Sequence, residues 1–96
     1  MNSIKKLQEW YYSYCDGEWE HQRGIRIGTF DNPGWDVEIN LIGTKSENIS
    51  FDKIKIERSE DDWIHCWVEK KVFNVACGPL NLEEGLEIFW KWAKKK

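Results

Sequence analysis

The chain predicts an α+β domain: an antiparallel meander of about five short strands, with an N-terminal and a C-terminal helix packed on one face. Three features of the sequence lead there. Apolar residues recur at three- and four-residue steps near the two ends, from Ile4 to Tyr14 and from Leu82 to Ala93. Between them the period falls to two: Trp35, Val37, Ile39 and Leu41 point one way and Asp36, Glu38 and Asn40 the other. The links between neighbouring strands are short, and parallel strands need long crossovers. The 96 residues suit one domain, 1–96.

The first helix carries Ile4, Leu7, Tyr11 and Tyr14 as its apolar stripe with Trp10 beside it, and Lys5, Lys6, Glu9 and Ser13 away from it. Asn2 or Ser3 caps its start and Gly17 ends it. The first strand runs from Gly24 to Phe30, alternating through Ile25 and Ile27. Asn32-Pro33-Gly34 reads as a turn, proline presetting φ at the second position and glycine accepting positive φ at the third. Trp35 to Ile42 is the second strand, and a polar link from Gly43 to Ser50 leads past Phe51 to a third with Ile54 and Ile56. Ser59-Glu60-Asp61-Asp62 turns into Trp63–Glu69. Lys70-Lys71 makes a two-residue hairpin loop into Val72–Cys77, although Asn or Gly suits such a loop better.

Gly78-Pro79 then breaks the sheet. Asn81 and Glu84 have the spacing of an Asn variant of the capping box. Leu82, Leu86, Phe89, Trp90 and Ala93 form the buried stripe of the second helix; Glu83, Glu84, Glu87, Lys91 and Lys94 form the wet one. Gly85 costs about 1 kcal/mol of helix propensity against alanine, which fits a close approach of helix to sheet.

Aromatic residues make up 15% of the chain and include seven tryptophans. Each buried ring removes roughly 150–250 Å² from water, so a small core is filled by a few of them and some are left for the surface. The net charge is −3, but without Lys91, Lys94, Lys95 and Lys96 it is −7, and Asp31 to Asp62 holds 9 acids against 4 bases. Such a field repels nucleic acid and attracts basic partners. The terminal lysines complement the dipole of the last helix. Three cysteines, Cys15, Cys66 and Cys77, make no disulfide framework. The N-terminal residues contain no continuous apolar run, so neither a signal peptide nor a membrane span is expected, and a reducing, cytoplasmic location follows. A monomer is expected.

Trp63 to Glu69 is bulky on both sides. In one rotation Ile64, Cys66 and Val68 pack under the helices, and Trp63, His65, Trp67 and Glu69 share the open face with Asp36, Glu38 and Asn40. In the other the tryptophans fill the core; a period of two accepts either. Tryptophans ringed by carboxylates are the mixture found in interface hot spots. Trp19-Glu20-His21, between helix and first strand, has two readings as well: Glu20 pairs with a partner's Arg or Lys, or Trp19 plugs the end of the core.

Chemistry finds little support. His65 and Cys66 are adjacent on a strand and point to opposite faces, so they cannot chelate together, and no metal or cofactor is expected. The cysteines and histidines match no local nucleophile signature. Asp36 and Glu38 share a strand face about 7 Å apart, but a flat sheet has no means of raising one pKa for glycosidase work. A small carbohydrate- or other ligand-binding module using exposed tryptophans is the alternative.

The runs LQEWYYSYCDGEWEH, GIRIGTFDNPGWDVEINLIGT, IKIERSEDDWIHCWVE and GPLNLEEGLEIFWKWA, spread in this order from Leu7 to Ala93, resemble the immunity protein 53 family of bacterial polymorphic toxin systems. VFNVAC, Val72 to Cys77, fits the family pattern least. Trp19, Glu20, His21, Asn32, Pro33, Gly34, Trp35 and Trp63 match its most recognisable positions. The resemblance implies a small cytoplasmic antitoxin without catalytic residues, which binds a toxin domain encoded beside it and protects the producer and its kin in bacterial competition. On that reading Trp19, Glu20, His21, Asp36, Glu38, Glu60, Asp61, Asp62, Trp63, His65 and Trp67 are the candidate toxin-binding residues, and Asn32-Pro33-Gly34-Trp35 is a structural turn. The acidic field points to a toxin with a cationic surface, such as a nuclease.

Overall fold

Asn2 opens the first helix, its Oδ1 accepting the N–H of Lys5 at 3.0 Å. A computed structural model describes residues 2–94; Lys95 and Lys96 of the lysine tail lie outside the described residues. Helix α1 (Ser3–Tyr14) buries Ser3, Leu7 and Trp10. The Ile4–Leu7–Tyr11 stripe expected from the sequence is corrected, since Ile4 is 53% and Tyr11 36% exposed. The helix is turned about its axis so that the largest ring, Trp10, docks edge-on against Phe89 at 5.1 Å. Gly17 follows the helix at φ +93°. Residues 19–22, read from the sequence as loop, wind into a single turn, α2 (Trp19–Gln22). Asp16 Oδ1 accepts the N–H groups of Glu18 and Trp19 at its start, both at 2.9 Å.

The strands are β1 (Ile25–Phe30), β2 (Gly34–Asn40), β3 (Ile54–Ser59), β4 (Asp62–Glu69) and β5 (Val72–Cys77), and every pairing is antiparallel, as expected. Their order is β1-β2-β5-β4-β3. Neighbours follow the chain at every step but one: β2 borders β5 instead of β3. The connection from Leu41 to Lys53 is long enough to carry the chain to the far edge. Thr44 Oγ1 donates to Leu41 O, Lys71 Nζ to Glu47 O and Asn48 Oδ1, and Trp92 Nε1 to Ser50 O, holding it in place. That leaves the central slot for β5, the strand with Phe73, Val75 and Cys77 all buried.

Two of the three hairpin loops differ in how well their residues announce them. Lys70 and Lys71 form the two-residue loop between β4 and β5 at φ 53° and 65°, left-handed values that a side chain tolerates poorly. Between β1 and β2 the loop is Asp31-Asn32-Pro33, with a cis bond before Pro33. The turn with a positive-φ glycine is therefore corrected: Gly34 is the first residue of β2 and pairs with Phe30. Glycine is needed there for space. A Cβ would stand 2.5 Å from the Phe30 ring and 2.5 Å from the Cys77 carbonyl oxygen.

Helix α3 (Leu82–Ala93) lies on the sheet through Leu86, Phe89 and Ala93, over Val37, Ile39, Val75, Phe73, Ile64 and Cys66. Gly85 permits this approach, a Cβ there being 2.8 Å from Val75 Cγ1. The capping box does not form. Asn81 precedes the helix but donates through Nδ2 to Asp62 Oδ1 at 2.8 Å, and its Oδ1 accepts the Trp63 N–H at 3.4 Å. Glu84 instead takes both guanidinium arms of Arg58. Ser3 N–H donates to Glu83 Oε2 at 3.0 Å and ties the start of α1 to the same turn.

Candidate protein-binding face

Register places every side chain of the sheet. Ile64, Cys66, Trp35, Val37 and Ile39 share the helix side with Phe73, Val75 and Cys77. Side chains alternate along a strand, so the other side carries Arg26 and Phe30 on β1, Asp36, Glu38 and Asn40 on β2, and Val72, Asn74 and Ala76 on β5. Trp63, His65, Trp67 and Glu69 complete it from β4, with Lys55 and Glu57 from β3. Of the two rotations open for β4, the structure takes the one with its tryptophans on the open face. Compact Ile64 and Cys66, both fully buried, fit beneath α3 where an indole would not.

The rings on this face gather toward one end. Phe30 lies 6.1 Å from Trp63, and Trp63 lies 5.1 Å from the imidazole of His65. His65 Nε2 is 3.1 Å from Glu57 Oε2. Trp67 stands in register with Asn74, Glu38 and Arg26 across the face. Phe30, Glu57 and Asn74 drew no attention in the sequence. Phe30 could have been found there by its parity, since it alternates with Ile25, Ile27 and Thr29 and so must face away from them.

Other candidate residues sit elsewhere. Trp19 packs among Trp10, Tyr11 and Tyr14, with Nε1 donating to Ile42 O at 2.7 Å, so it plugs the end of the core. Glu20 accepts the N–H groups of Asp16 and Gly17. Backbone N–H groups of Glu20 itself, Asp16 and Gly17 hold its carboxyl below the usual range. His21 is exposed on the same turn. Trp19 and His21 are not brought together with the sheet face, whereas Glu20 lines a groove with Arg26, Glu38 and Asn74 at its β1 edge. Trp35 is on the helix side, its Nε1 donating to Pro79 O at 3.1 Å.

Glu60 and Asp61 are exposed at the β3–β4 turn. Asp62, however, is held by Asn81 and by Arg58 at 2.8 Å, and these two partners lower its pKa. It belongs to the join between hairpin and helix. Burial pushes the Cys66 thiol up to about 12 and that of Cys77 to about 11, so both are neutral thiols at physiological pH. Among the described residues no group of three or more His, Cys, Asp or Glu side chains converges as metal ligands.

The fold and this face define a class: a small α+β domain with its core under two helices and an uncovered aromatic, carboxylate-bearing sheet surface. No helix among the described residues is long and apolar enough to cross a membrane. The chain belongs to the immunity protein 53 family, whose sequence profile matches residues 4–94. Comparison with curated proteins and with solved structures finds no match.

Proposed function

We propose that this protein is a cytoplasmic antitoxin of a polymorphic toxin system, which neutralises its cognate toxin domain by stoichiometric, non-covalent binding through the open sheet face. The observation that carries the reading is the placement of Trp63, His65 and Trp67 beside Asp36, Glu38, Glu57 and Glu69 on the sheet surface opposite α1 and α3, in a chain of an immunity family.

A pleated sheet is a stiff support, so these side chains lose little freedom on binding. The half-buried indoles serve as desolvated anchors, where truncation of a hot-spot residue costs about 2 kcal/mol or more. The carboxylates guide encounter with a basic surface, and close pairs that become desolvated couple by roughly 1.5–7 kcal/mol. Nucleases need cationic surfaces for phosphate, which makes a nuclease a fitting target. The exposed Glu60 and Asp61 extend the same charge at the rim.

The test is reconstitution with the toxin domain encoded beside this gene. A one-to-one complex is expected, and Trp67→Ala combined with Glu38→Lys should weaken it at least about a hundredfold with the melting temperature held. Full affinity in that variant would remove the open face from the account.

A further inference from the structure

The two edges of the sheet are built differently. Edge strand β3 carries Lys55, Glu57 and Arg58 and shifts register between Glu57 and Ser59. Charges and bulges of this kind keep an edge from pairing with another chain. Edge strand β1, Ile-Arg-Ile-Gly-Thr-Phe, has one charge and regular register through all six residues. Its Ile27 is 44% exposed, in a groove shared with Ile4 and Tyr11 of α1.

The free backbone groups can be assigned. Asn40 N–H donates to Gly24 O at 2.9 Å, and hydrogen-bonded and non-bonded pairs alternate along an antiparallel ladder. Arg26 and Gly28 therefore turn their N–H and C=O toward β2, while Ile25, Ile27 and Thr29 turn theirs outward.

Charge names the occupant. Asp36 is the partner of Gly28 across the β1–β2 ladder, and its Oδ1 lies 3.0 Å from where a Cβ of Gly28 would stand. The carboxylate thus leans over a position without a side chain, toward the free edge. Among the described residues neither Asp36 nor Arg26 makes an ion pair. If a second β1 runs antiparallel with Ile27 opposite Ile27, the second copy's Arg26 falls opposite Gly28, within reach of Asp36. The two-fold axis repeats the contact. In this register the outward groups of the two Ile27 residues bond reciprocally, Ile25 opposes Thr29, and the two exposed Ile27 side chains cover each other.

We propose that two copies of this chain pair edge to edge through β1, antiparallel and centred on Ile27, with Arg26 of each copy meeting Asp36 of the other. The pair makes one continuous sheet with both open faces on the same side, and it replaces the monomer expected from the sequence. It does not rest on the proposed function, and its test contains no toxin.

Sedimentation equilibrium over a concentration series at low salt should show the mass rising from the 11.5 kDa chain toward twice that value. Ile27→Lys, Arg26→Asp and Asp36→Arg should each weaken association at least about tenfold, with unchanged melting curves showing that the exposed substitutions leave the fold intact. The double exchange Arg26→Asp with Asp36→Arg should restore it. Chain mass at every concentration, association indifferent to the single changes, or no recovery in the double exchange would each overturn the pairing.

Discussion

Phe30 and Trp63 meet ring to ring at 6.1 Å, although β1 and β4 are separated by two other strands. Gly34 makes the meeting possible, because the Phe30 ring occupies the place where its side chain would be. The aromatic end of the open face thus depends on one missing methyl group.

Gly34→Ala should therefore destabilise the protein. The ring can swing aside, but the Cys77 carbonyl oxygen, also 2.5 Å from the new Cβ, belongs to the central strand. Overpacking of this kind costs about 1–3 kcal/mol. At roughly 4–8 °C per kcal/mol for a domain of this size, a thermal melt would show the loss clearly. An unchanged melting temperature would contradict the contact.

Lys70 and Lys71 look alike in sequence and should behave differently. Both stand in the left-handed region, but only Lys71 reaches the β2–β3 connection, through Glu47 O and Asn48 Oδ1. Lys70→Asn should stabilise by up to about 1 kcal/mol, since Asn tolerates that conformation. Lys71→Gly relieves the same strain but loses the tether, so its gain should be smaller. Denaturant midpoints of the two variants decide the order.

Acid should loosen the join between hairpin and helix. Asn81 and then Arg58 hold Asp62 below its ordinary 3.8, and Arg58 holds Glu84 below its ordinary 4.5. A lowered carboxyl pKa stabilises fully above the unfolded value and is lost as pH falls through the folded one. The contribution should be complete at neutral pH and decline below about pH 4.5. These groups are exposed, so the effect is modest and salt-sensitive. In Arg58→Gln the melting temperature should fall less steeply between neutral and acid pH than in the parent; parallel curves would sink this assignment.

Trp19→Ala should cost stability and spare binding. Its ring packs on Trp10, Tyr11 and Tyr14, away from the sheet face. A loss of about 3 kcal/mol is expected, with toxin affinity of the folded fraction unchanged. Lost affinity at full stability would return this turn to the binding surface.

What the sequence discloses and what it hides divides along physical lines. The period of two in Trp35–Leu41 and the mismatch between compact Ile64, Cys66 and bulky Trp63, Trp67 are local, and they point to the correct faces. Gly85 is likewise readable, because a glycine inside a helix that is otherwise apolar on one side signals contact, here with Val75. The stripe of α1 is less determinate: Ile4 and Tyr11 are as apolar as Trp10, and only packing against Phe89 chooses between stripes one residue apart. Strand order is hidden further still, since nothing in β2 or β3 says that β5 will enter between them. Asn81 and Glu84 have the spacing of a cap, but Arg58 and Asp62 arrive from another hairpin and claim both side chains. The same contacts withdraw Asp62 from the acidic surface to which the sequence assigns it.

The most direct measurement is the set of indole N–H resonances of the seven tryptophans, followed as the toxin domain is added. Trp63 and Trp67 should shift, while Trp19, Trp35 and Trp92, whose indole N–H groups bond to Ile42, Pro79 and Ser50, should stay in place. Shifts confined to Trp10 and Trp19, with Trp63 and Trp67 unmoved in a formed complex, would contradict binding through the open sheet face.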